Sequence, residues 1–231
     1  TTTSVAYAYA LSPQWRASAS AASSFRAPTL YQRFSKYGVS TLTPESGRNM
    51  EVGLHYTEGA NGFGVVVYRN MLTNLLSFLS GATAAGCPVP ATGCYSNTAQ
   101  AQYQGVSFTA QRALALGRLR ASLDLQDPRD SVTGKLLARR ATHHAVVGLD
   151  SRLDSWFLTA EMQLSSLRYD DAANANVLPG YVLLSLSAQR AVSREWSVLL
   201  KMDNATNTKY QLADTYATAG RTASVGPTWA P

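Results

Sequence analysis

Apolar and polar side chains alternate along several stretches of the chain. In residues 156–168 the even-numbered positions up to Leu164 are apolar, and the odd-numbered positions are mostly polar. The same period of two recurs in residues 5–11, 50–56, 118–125 and 196–203. Successive side chains of a β-strand point to opposite faces, so each stretch predicts a strand with one apolar face.

The predicted strands are joined by connections that alternate between short and long. The short turns lie at 12–14, 58–61, 112–115, 152–155 and 190–195. The long connections lie at 26–48, 80–96, 126–138, 169–179 and 205–219. Transmembrane β-barrels have this asymmetry, with short turns on the periplasmic side and long loops outside. The pattern predicts an all-β antiparallel transmembrane β-barrel fold with eleven strands, the first at 3–11 and the last at 221–229.

Alternation alone is compatible with a soluble β-sandwich as well as with a barrel, and two further features favour the barrel. Charged residues occur in mid-strand on the polar faces, as a water-filled lumen allows. Aromatic residues also gather at strand ends, where membrane proteins place their interfacial belts. The residues concerned are Trp15, Phe25, Trp156, Tyr181, Trp196 and Trp229.

Composition agrees with a surface that faces lipid. Charged residues make up 15% of the chain, whereas about 25% is usual for soluble domains. Residues 70–111 carry no charge, but they contain several Gly and Pro and no run of ~18 apolar residues, so a membrane-spanning helix is not predicted there. The net charge of +6 suggests nucleic-acid binding, but the arginines are scattered, so no nucleic-acid partner is expected.

Both cysteines, Cys87 and Cys94, lie in one long connection with the sequence CPVPATGC. Two cysteines cannot form a tetrahedral metal site by themselves. A disulfide within the loop is expected, and it implies an oxidising, extracytoplasmic location. Two free thiols are the alternative, and mass spectrometry with and without reductant distinguishes the two states. No metal and no cofactor are expected.

Seven ordered sequence blocks along nearly the whole chain resemble blocks of TonB-dependent outer-membrane receptors. They are residues 25–30 (FRAPTL), 42–46 (LTPES), 68–70 with 75–76 (YRN and LL), 105–106 (GV), 136–141 (LLARRA), 204–210 (NATNTKY) and 216–221 (YATAGR). The last block is similar to the Y-x-T-A-G-R of the cobalamin receptors in this family. Ser107 stands where the family has Glu, and Ala230 and Pro231 follow the aromatic residue that usually ends such barrels.

The resemblance implies a barrel of about 22 strands with a plug domain inside it. Residues 1–231 are then expected to form one partial barrel domain, the C-terminal portion, without the plug or the TonB box. An odd count of eleven does not suit a closed bacterial barrel. The first and last strands are therefore expected to be open edges that further strands complete, because unpaired backbone is untenable in lipid.

The resemblance also implies a function. It implies a transporter and not an enzyme, located in the outer membrane of a Gram-negative bacterium and in contact with lipid and lipopolysaccharide. The expected ligand is a large scarce nutrient, cobalamin ahead of a ferric siderophore, taken up with energy from TonB through the plug. A porin or autotransporter-type barrel complete in this chain is a second hypothesis, and a soluble β-sandwich interaction module is a third.

Two arginines at the end of a long connection are the first candidate ligand contacts. Arg139 and Arg140 follow the connection 126–138, and one of them is expected to point into the lumen. A guanidinium there can donate several hydrogen bonds to carbonyl or amide oxygens of a ligand. A salt bridge to Asp127, to Asp130 or to lipid phosphate is the alternative.

Polar and aromatic residues beside the long connections are the other candidates. Tyr95 and Asn97 flank the cysteine loop, Tyr169 begins the connection 169–179, and Tyr37 lies in 26–48. Tyrosine offers a large contact area and a hydroxyl at low entropic cost, which suits a ligand-binding loop. Membership of the interfacial belt is the alternative for each tyrosine.

Three other clusters are not expected to form sites. His143 and His144 are adjacent, so on a strand they face opposite sides and cannot share a metal ion. Residues 170–176 contain acidic and amide side chains but no glycine-punctuated calcium loop. Ser, His and Asp residues are present, but no nucleophile-elbow motif accompanies them.

Overall fold

A computed structural model describes residues 1–79 and 87–229 of the chain. The described residues form one antiparallel sheet of eleven strands, in which each strand pairs with the sheet strand that follows it in sequence. The sheet strands are β1 (Ser4–Ala10), β2 (Trp15–Arg26), β3 (Glu45–Glu58), β4 (Asn61–Leu79), β5 (Cys94–Leu114), β6 (Gly117–Asp130), β7 (His143–Leu153), β8 (Trp156–Ser165), β11 (Tyr181–Ala191), β12 (Trp196–Asp203) and β13 (Thr222–Trp229). The all-β prediction and the count of eleven strands are confirmed.

Three short elements that the sequence did not predict lie in the long connections. They are helix α1 (Leu30–Phe34), a 3-10 turn (Pro90–Thr92), and a hairpin of β9 (Arg168–Tyr169) and β10 (Val177–Leu178). The helix begins at Thr29, whose hydroxyl accepts the Gln32 N–H while the Gln32 side chain accepts the Thr29 N–H. This reciprocal capping box satisfies two N–H groups that the first helical turn would otherwise leave unpaired. No helix in the described residues is long and apolar enough to cross a membrane.

One face of the sheet is apolar across all eleven strands. The register continues from strand to strand, so that Val52 lies opposite Val67, and Val67 lies opposite Val106. Val52 and Val67 are exposed, at 63% and 54% of the maximum, and Val106 is half-buried. We call this surface the apolar face. Large apolar side chains in such continuous exposure indicate a surface that meets lipid or another protein.

The described part of the chain has no apolar core between two packed sheets. The buried apolar residues there include Leu42, Cys87, Cys94, Ala101, Pro128 and Leu178. A β-sandwich interdigitates the inner side chains of two packed sheets, whereas here the apolar side chains of a single sheet point outward. The barrel prediction is therefore favoured over the soluble sandwich.

The opposite face of the sheet, which we call the polar face, carries charged groups in mid-strand. Arg120 donates to Asp150 at 2.9 Å and to Glu161 at 3.0 Å, which joins β6, β7 and β8. Gly148 makes room for this network, because a Cβ there would lie 2.8 Å from the Arg120 Cζ. Half-exposed ion pairs of this kind suit a wall that faces water.

All four tryptophans of the chain lie on the apolar face at the end of the sheet that carries the short turns. Trp196 lies opposite Trp229 with ring centroids 6.4 Å apart, and Trp15 contacts Tyr56 at 5.1 Å. The Arg190 guanidinium lies 5.6 Å from the Trp156 ring. We call this end the short-turn end. Its row of indole rings has the composition of an interfacial belt.

The alternation of connections is confirmed. Short turns occupy residues 11–14, 59–60, 115–116, 154–155 and 192–195, and long connections occupy 27–44, 80–93, 131–142, 166–180 and 204–221. Because consecutive strands are antiparallel, all the long connections leave the same end of the sheet, which we call the long-loop end. Residues 80–86 of the predicted connection 80–96, together with Ala230 and Pro231, lie outside the described residues.

Two strands are much longer than a bilayer crossing requires. The thickness of a bilayer predicts strands of ~9–13 residues; β3 and β6 exceed this by one residue, whereas β4 has 19 residues and β5 has 21. The additional length lies at the long-loop end, where Arg69 and Gln104 interrupt the apolar face. The strands continue to pair beyond that point as far as Leu79 and Cys94. In the described residues β1 pairs only with β2, and β13 only with β12.

Candidate ligand-binding site

Four aromatic rings meet at the long-loop end. Tyr37 contacts Phe78 edge-on at 5.6 Å, Phe78 contacts Tyr95 at 5.3 Å, and Tyr31 contacts Tyr95 at 6.2 Å. We call Tyr31, Tyr37, Phe78 and Tyr95 the aromatic cluster. Edge-to-face contacts of this kind are worth about 0.5–1.5 kcal/mol each beyond the area they bury. The cluster joins the connection 27–44 to the tip of the β4–β5 hairpin.

The disulfide predicted between Cys87 and Cys94 is present, next to the aromatic cluster in sequence, because Cys94 directly precedes Tyr95. Both cysteines are buried, and Val39 and Leu79 pack against them. The disulfide therefore closes its own loop and also supports the neighbouring connection. In the chain-entropy model, closing so short a loop stabilises it by roughly 2–3 kcal/mol. The Tyr95 N–H donates to the Tyr37 carbonyl at 2.9 Å and fixes the same junction.

Asn97 ties together three segments. Its Oδ1 accepts the Thr43 N–H at 3.0 Å and the Thr43 hydroxyl at 3.2 Å. Its Nδ2 donates to the carbonyls of Thr43 at 3.0 Å and Asn74 at 2.6 Å. An asparagine amide has two N–H donors and one oxygen with two lone pairs. All of them are used here, so Asn97 positions the loops and has no free group for a ligand.

A buried carboxylate that the sequence did not single out supports the same region. Glu45 is 7% exposed and accepts the Leu76 N–H at 2.7 Å. It also forms an ion pair with Arg26 at 3.4 Å. Glu45 begins β3 and Leu76 lies in the extension of β4, so the carboxylate fixes the base of the extended hairpin.

Helix α1 presents apolar side chains beside the aromatic cluster. Leu30, Tyr31 and Phe34 are exposed, while Gln32 is buried by its capping contacts. Arg33 donates two hydrogen bonds to the Ser40 carbonyl, at 2.6 and 3.1 Å, and so holds the helix against the following turn. The surface has both apolar area and hydroxyl groups, the combination that ligand sites use for burial and orientation.

Arg139 lies in a second group of contacts, which connects three long loops. Its guanidinium donates to Asp170 at 2.7 Å, and its N–H donates to the Tyr169 carbonyl at 2.6 Å. Asp170 also accepts the Asp214 N–H at 3.0 Å. The hydrogen bond from Arg139 lowers the pKa of Asp170, against the opposing effect of desolvation. We call Arg139, Asp170 and Asp214 the loop junction.

The partner of Arg139 differs from both carboxylates that the sequence suggested for it. Asp127 pairs instead with Arg129 at 2.6 Å, and the Asp130 carboxylate accepts backbone N–H groups of its own turn. Arg140 lies with its guanidinium 6.0 Å from the Tyr103 ring and is exposed. Of the two predicted arginines, Arg140 is the one without an ion-pair partner in the described residues.

The six predicted site residues fall into three places. Tyr37, Tyr95 and Asn97 are brought together at the aromatic cluster. Tyr169 and Arg139 meet through a backbone hydrogen bond at the loop junction. Arg140 points toward Tyr103. Along β5, Tyr95, Asn97 and Tyr103 have the same parity as Ser107, which hydrogen-bonds to Asp124 on the polar face.

A buried arginine near the loop junction was missed by sequence reasoning. Arg168 is 4% exposed, donates to the Gln211 carbonyl, and lies 5.2 Å from the Tyr181 ring. Tyr210 packs against the same ring at 4.6 Å. The Nη1 of Arg168 has no hydrogen-bond partner in the described residues. Nothing in the local sequence distinguishes this arginine from the exposed ones.

The clusters that were not expected to form sites are engaged in other contacts. His144 hydrogen-bonds to Gln163 at 3.0 Å, and His143 to the adjacent Thr142 hydroxyl at 3.0 Å. The Asp171 carboxylate accepts the N–H of Asn176 at 2.6 Å and closes its own turn. Within residues 1–79 and 87–229, no group of three or more His, Cys, Asp or Glu side chains is arranged to hold a metal ion.

The fold and the loop surface define a wall segment of a transmembrane receptor barrel. The family model "TonB dependent receptor-like, beta-barrel" matches residues 1–205, so the chain belongs to this family of outer-membrane receptors and transporters. Two curated relatives are vitamin B12 transporters named BtuB. The Vibrio cholerae protein is 28% identical over 230 residues, covering 96% of this chain and 36% of its own length. The Photobacterium profundum protein is 26% identical over 215 residues, covering 92% and 35%.

Solved structures show the same fold at lower sequence identity. The ferric enterobactin receptor PfeA of Pseudomonas aeruginosa, in a G324V mutant, is 21% identical with a TM-score of 0.75, over 99% of this chain and 40% of its own. The siderophore receptor PirA of Acinetobacter baumannii is 15% identical with a TM-score of 0.77, over the same shares. This chain therefore spans well under half the length of the proteins it matches.

Proposed function

We propose that this chain forms part of the wall of an outer-membrane receptor that binds cobalamin and takes it up with energy from TonB. The aromatic cluster is the observation on which the proposal rests. It offers three tyrosine hydroxyls and several exposed apolar side chains at one place. Cobalamin is a large ligand with apolar surface and many amide groups, and it matches such a surface. The two relatives that are vitamin B12 transporters support the same ligand.

The proposed orientation places the long loops outside the cell and the short turns in the periplasm. Coupling to TonB is proposed to run through a plug domain, no part of which lies in the described residues. The orientation can be tested by labelling intact cells with a membrane-impermeant maleimide, using Val132→Cys in a long connection and Ala115→Cys in a short turn. Labelling of Val132→Cys alone supports it, and labelling of Ala115→Cys alone reverses it.

Ligand identity can be tested with the full-length receptor that contains this segment. We expect saturable binding of cyanocobalamin, and at least about tenfold weaker binding after Tyr95→Ala, because the variant removes two ring contacts and a hydroxyl. Arg140→Ala is expected to weaken binding as well. Tyr7→Ala is the control for the loss of a tyrosine, since Tyr7 is exposed and lies on the apolar face of β1, away from the aromatic cluster. Unchanged affinity in Tyr95→Ala and Arg140→Ala would remove the proposed site.

A ferric siderophore is the second candidate ligand. It is favoured by three cations near the aromatic cluster and the polar face, Arg33, Lys36 and Arg140, which have no acidic partner in the described residues. Ferric catecholates are anions, so their binding should weaken as salt shortens the Debye length from about 10 Å at 0.1 M to 3 Å at 1 M. Cobalamin binding should change little over the same range. A ligand that binds only at low salt would therefore favour the siderophore.

A further inference from the structure

The apolar face of β3 to β6 ends in basic residues toward the long-loop end. The last fully apolar row across these strands is Val52, Val67, Val106 and Leu125. In the next row Arg69 lies opposite Met50, and in the row after it Arg48 lies opposite Met71. Rows on one face of a strand are about 7 Å apart. Both arginines therefore lie within roughly 14 Å of the apolar surface.

The charge of these two arginines is not neutralised by neighbouring acids. Asp127, the carboxylate in the same row as Arg69, is held by Arg129 at 2.6 Å. Arg69 donates to the neutral Gln102 side chain at 2.9 Å. In the described residues, Arg48 has neither a hydrogen-bond nor an ion-pair partner for its side chain. The patch is consequently cationic.

An apolar groove runs up to this patch. It has a volume of about 660 Å³, and its lining includes the row of Val52, Val67, Val106 and Leu125 together with Arg69 and Asp127 of the next row. Most of the residues that line it have the parity of the apolar face. A groove with an apolar floor and an arginine at one end is complementary to a molecule with a hydrocarbon chain and an anionic head.

The distance across the sheet places the patch at a membrane interface. Tyr56 contacts Trp15 at the short-turn end, and Arg48 lies eight residues away along β3. Eight residues span about 27 Å of strand, and a tilt of about 35–45° reduces this to roughly 20 Å of height. The apolar band of such barrels is about 25 Å tall. Arg48 and the tryptophans therefore lie near opposite headgroup levels, and Arg69 lies one row closer to the centre of the apolar band.

We propose that Arg48 and Arg69 bind the phosphate of an outer-leaflet lipid of the lipid A class, one acyl chain of which occupies the groove. Arginine forms bidentate, charge-assisted hydrogen bonds with phosphate. The apolar rows below the arginines accommodate the chain. The inference rests on the proposed orientation, in which the long-loop end meets the outer leaflet.

The test is native mass spectrometry of the full-length receptor titrated with bis-phosphorylated lipid A. The Arg48→Gln/Arg69→Gln double variant should bind lipid A at least about tenfold more weakly, because it loses both guanidinium groups that donate charged hydrogen bonds to the phosphate. The double variant and the wild type should bind dephosphorylated lipid A with the same affinity. Val106→Trp, which fills the groove, should weaken the binding of both lipids. Heat-modifiable mobility on gels verifies that each variant is folded.

Arg112→Gln is the matched control, because Arg112 lies on the same face at the short-turn end and is exposed. The proposal predicts unchanged lipid A binding in this variant. Equal affinity in the double variant and the wild type overturns the proposal, as does an equal loss in Arg112→Gln. Displacement of lipid A by millimolar inorganic phosphate overturns it in favour of a free-phosphate site.

Cyanocobalamin affinity, measured on the same samples, should be unaffected by the double variant. If the receptor binds lipid A through the two arginines but does not bind cobalamin, only the proposed cobalamin ligand is refuted.

Discussion

Replacing Asn97 with alanine should release the connection 27–44 from the β4–β5 hairpin. The change removes four hydrogen bonds of 2.6–3.2 Å to Thr43 and Asn74. A single hydrogen bond contributes about 0.5–1.5 kcal/mol net. Three of the four share one partner residue and are not independent, so the expected loss is about 2–4 kcal/mol of local stability.

Hydrogen exchange of the Thr43 amide measures this loss directly, because that N–H donates only to the Asn97 side chain. A loss of about 2–4 kcal/mol corresponds to roughly 30- to 1000-fold faster exchange. Asn61→Ala is the matched control, since the Asn61 side chain accepts one hydrogen bond, from Ala113, at the short-turn end. Thr43 exchange that stays as slow in Asn97→Ala as in Asn61→Ala would refute the positioning role.

Three further predictions concern the loops and one turn. The lowered pKa of Asp170 means that its pair with Arg139 contributes stability above the ordinary carboxyl pKa of ~3.9, and this stability is lost as pH falls through the lowered value. Thermal unfolding between about pH 6 and pH 3 should therefore show a smaller pH dependence in Arg139→Gln than in the wild type. Reduction of the Cys87–Cys94 disulfide should accelerate hydrogen exchange in residues 36–42 without altering mid-sheet exchange, and unchanged exchange there would contradict the supporting role. Gly117→Ala should lower folded yield on heat-modifiability gels, because the glycine has φ +146° and a Cβ would lie 2.1 Å from a backbone oxygen.

The sheet could be predicted from sequence because several of its strands carry the period-two pattern. In a barrel wall one face meets lipid and the other meets water, so the alternation in a strand's sequence indicates which of its side chains lie on which face. The lengths of β4 and β5 could not be predicted in this way. From Arg69 onward the outward face of the hairpin is no longer continuously apolar, so the pattern that marks a bilayer crossing ends there.

Helix α1 is marked in the sequence by one local signal, the capping box at its start. Thr29 and Gln32 have the spacing of a capping box, which marks a helix start even in a long connection. Five residues are too few for helical periodicity to be visible, so only the cap could have predicted the element.

The candidate site was predictable in composition but not in its contacts. The cysteine pairing followed from two cysteines in one loop, and the tyrosines followed from their place beside long connections. The partners of Asn97 lie up to 54 residues away, and Asp170 lies 31 residues from Arg139. Contacts at such separations depend on which loops the barrel brings together, and no local pattern encodes them.

In the proposed orientation, the extension of β4 and β5 lifts the aromatic cluster away from the lipid boundary. From Arg69 to Phe78 the strand rises about 30 Å, or roughly 20 Å in height after allowing for barrel tilt. The electrostatic potential of anionic headgroups decays with a Debye length of about 8 Å at physiological salt. A negatively charged solute at that height is shielded from the headgroup phosphates of the membrane. In the proposed orientation, the hairpin therefore holds the aromatic cluster at a height where the anionic membrane surface does not repel an anionic ligand.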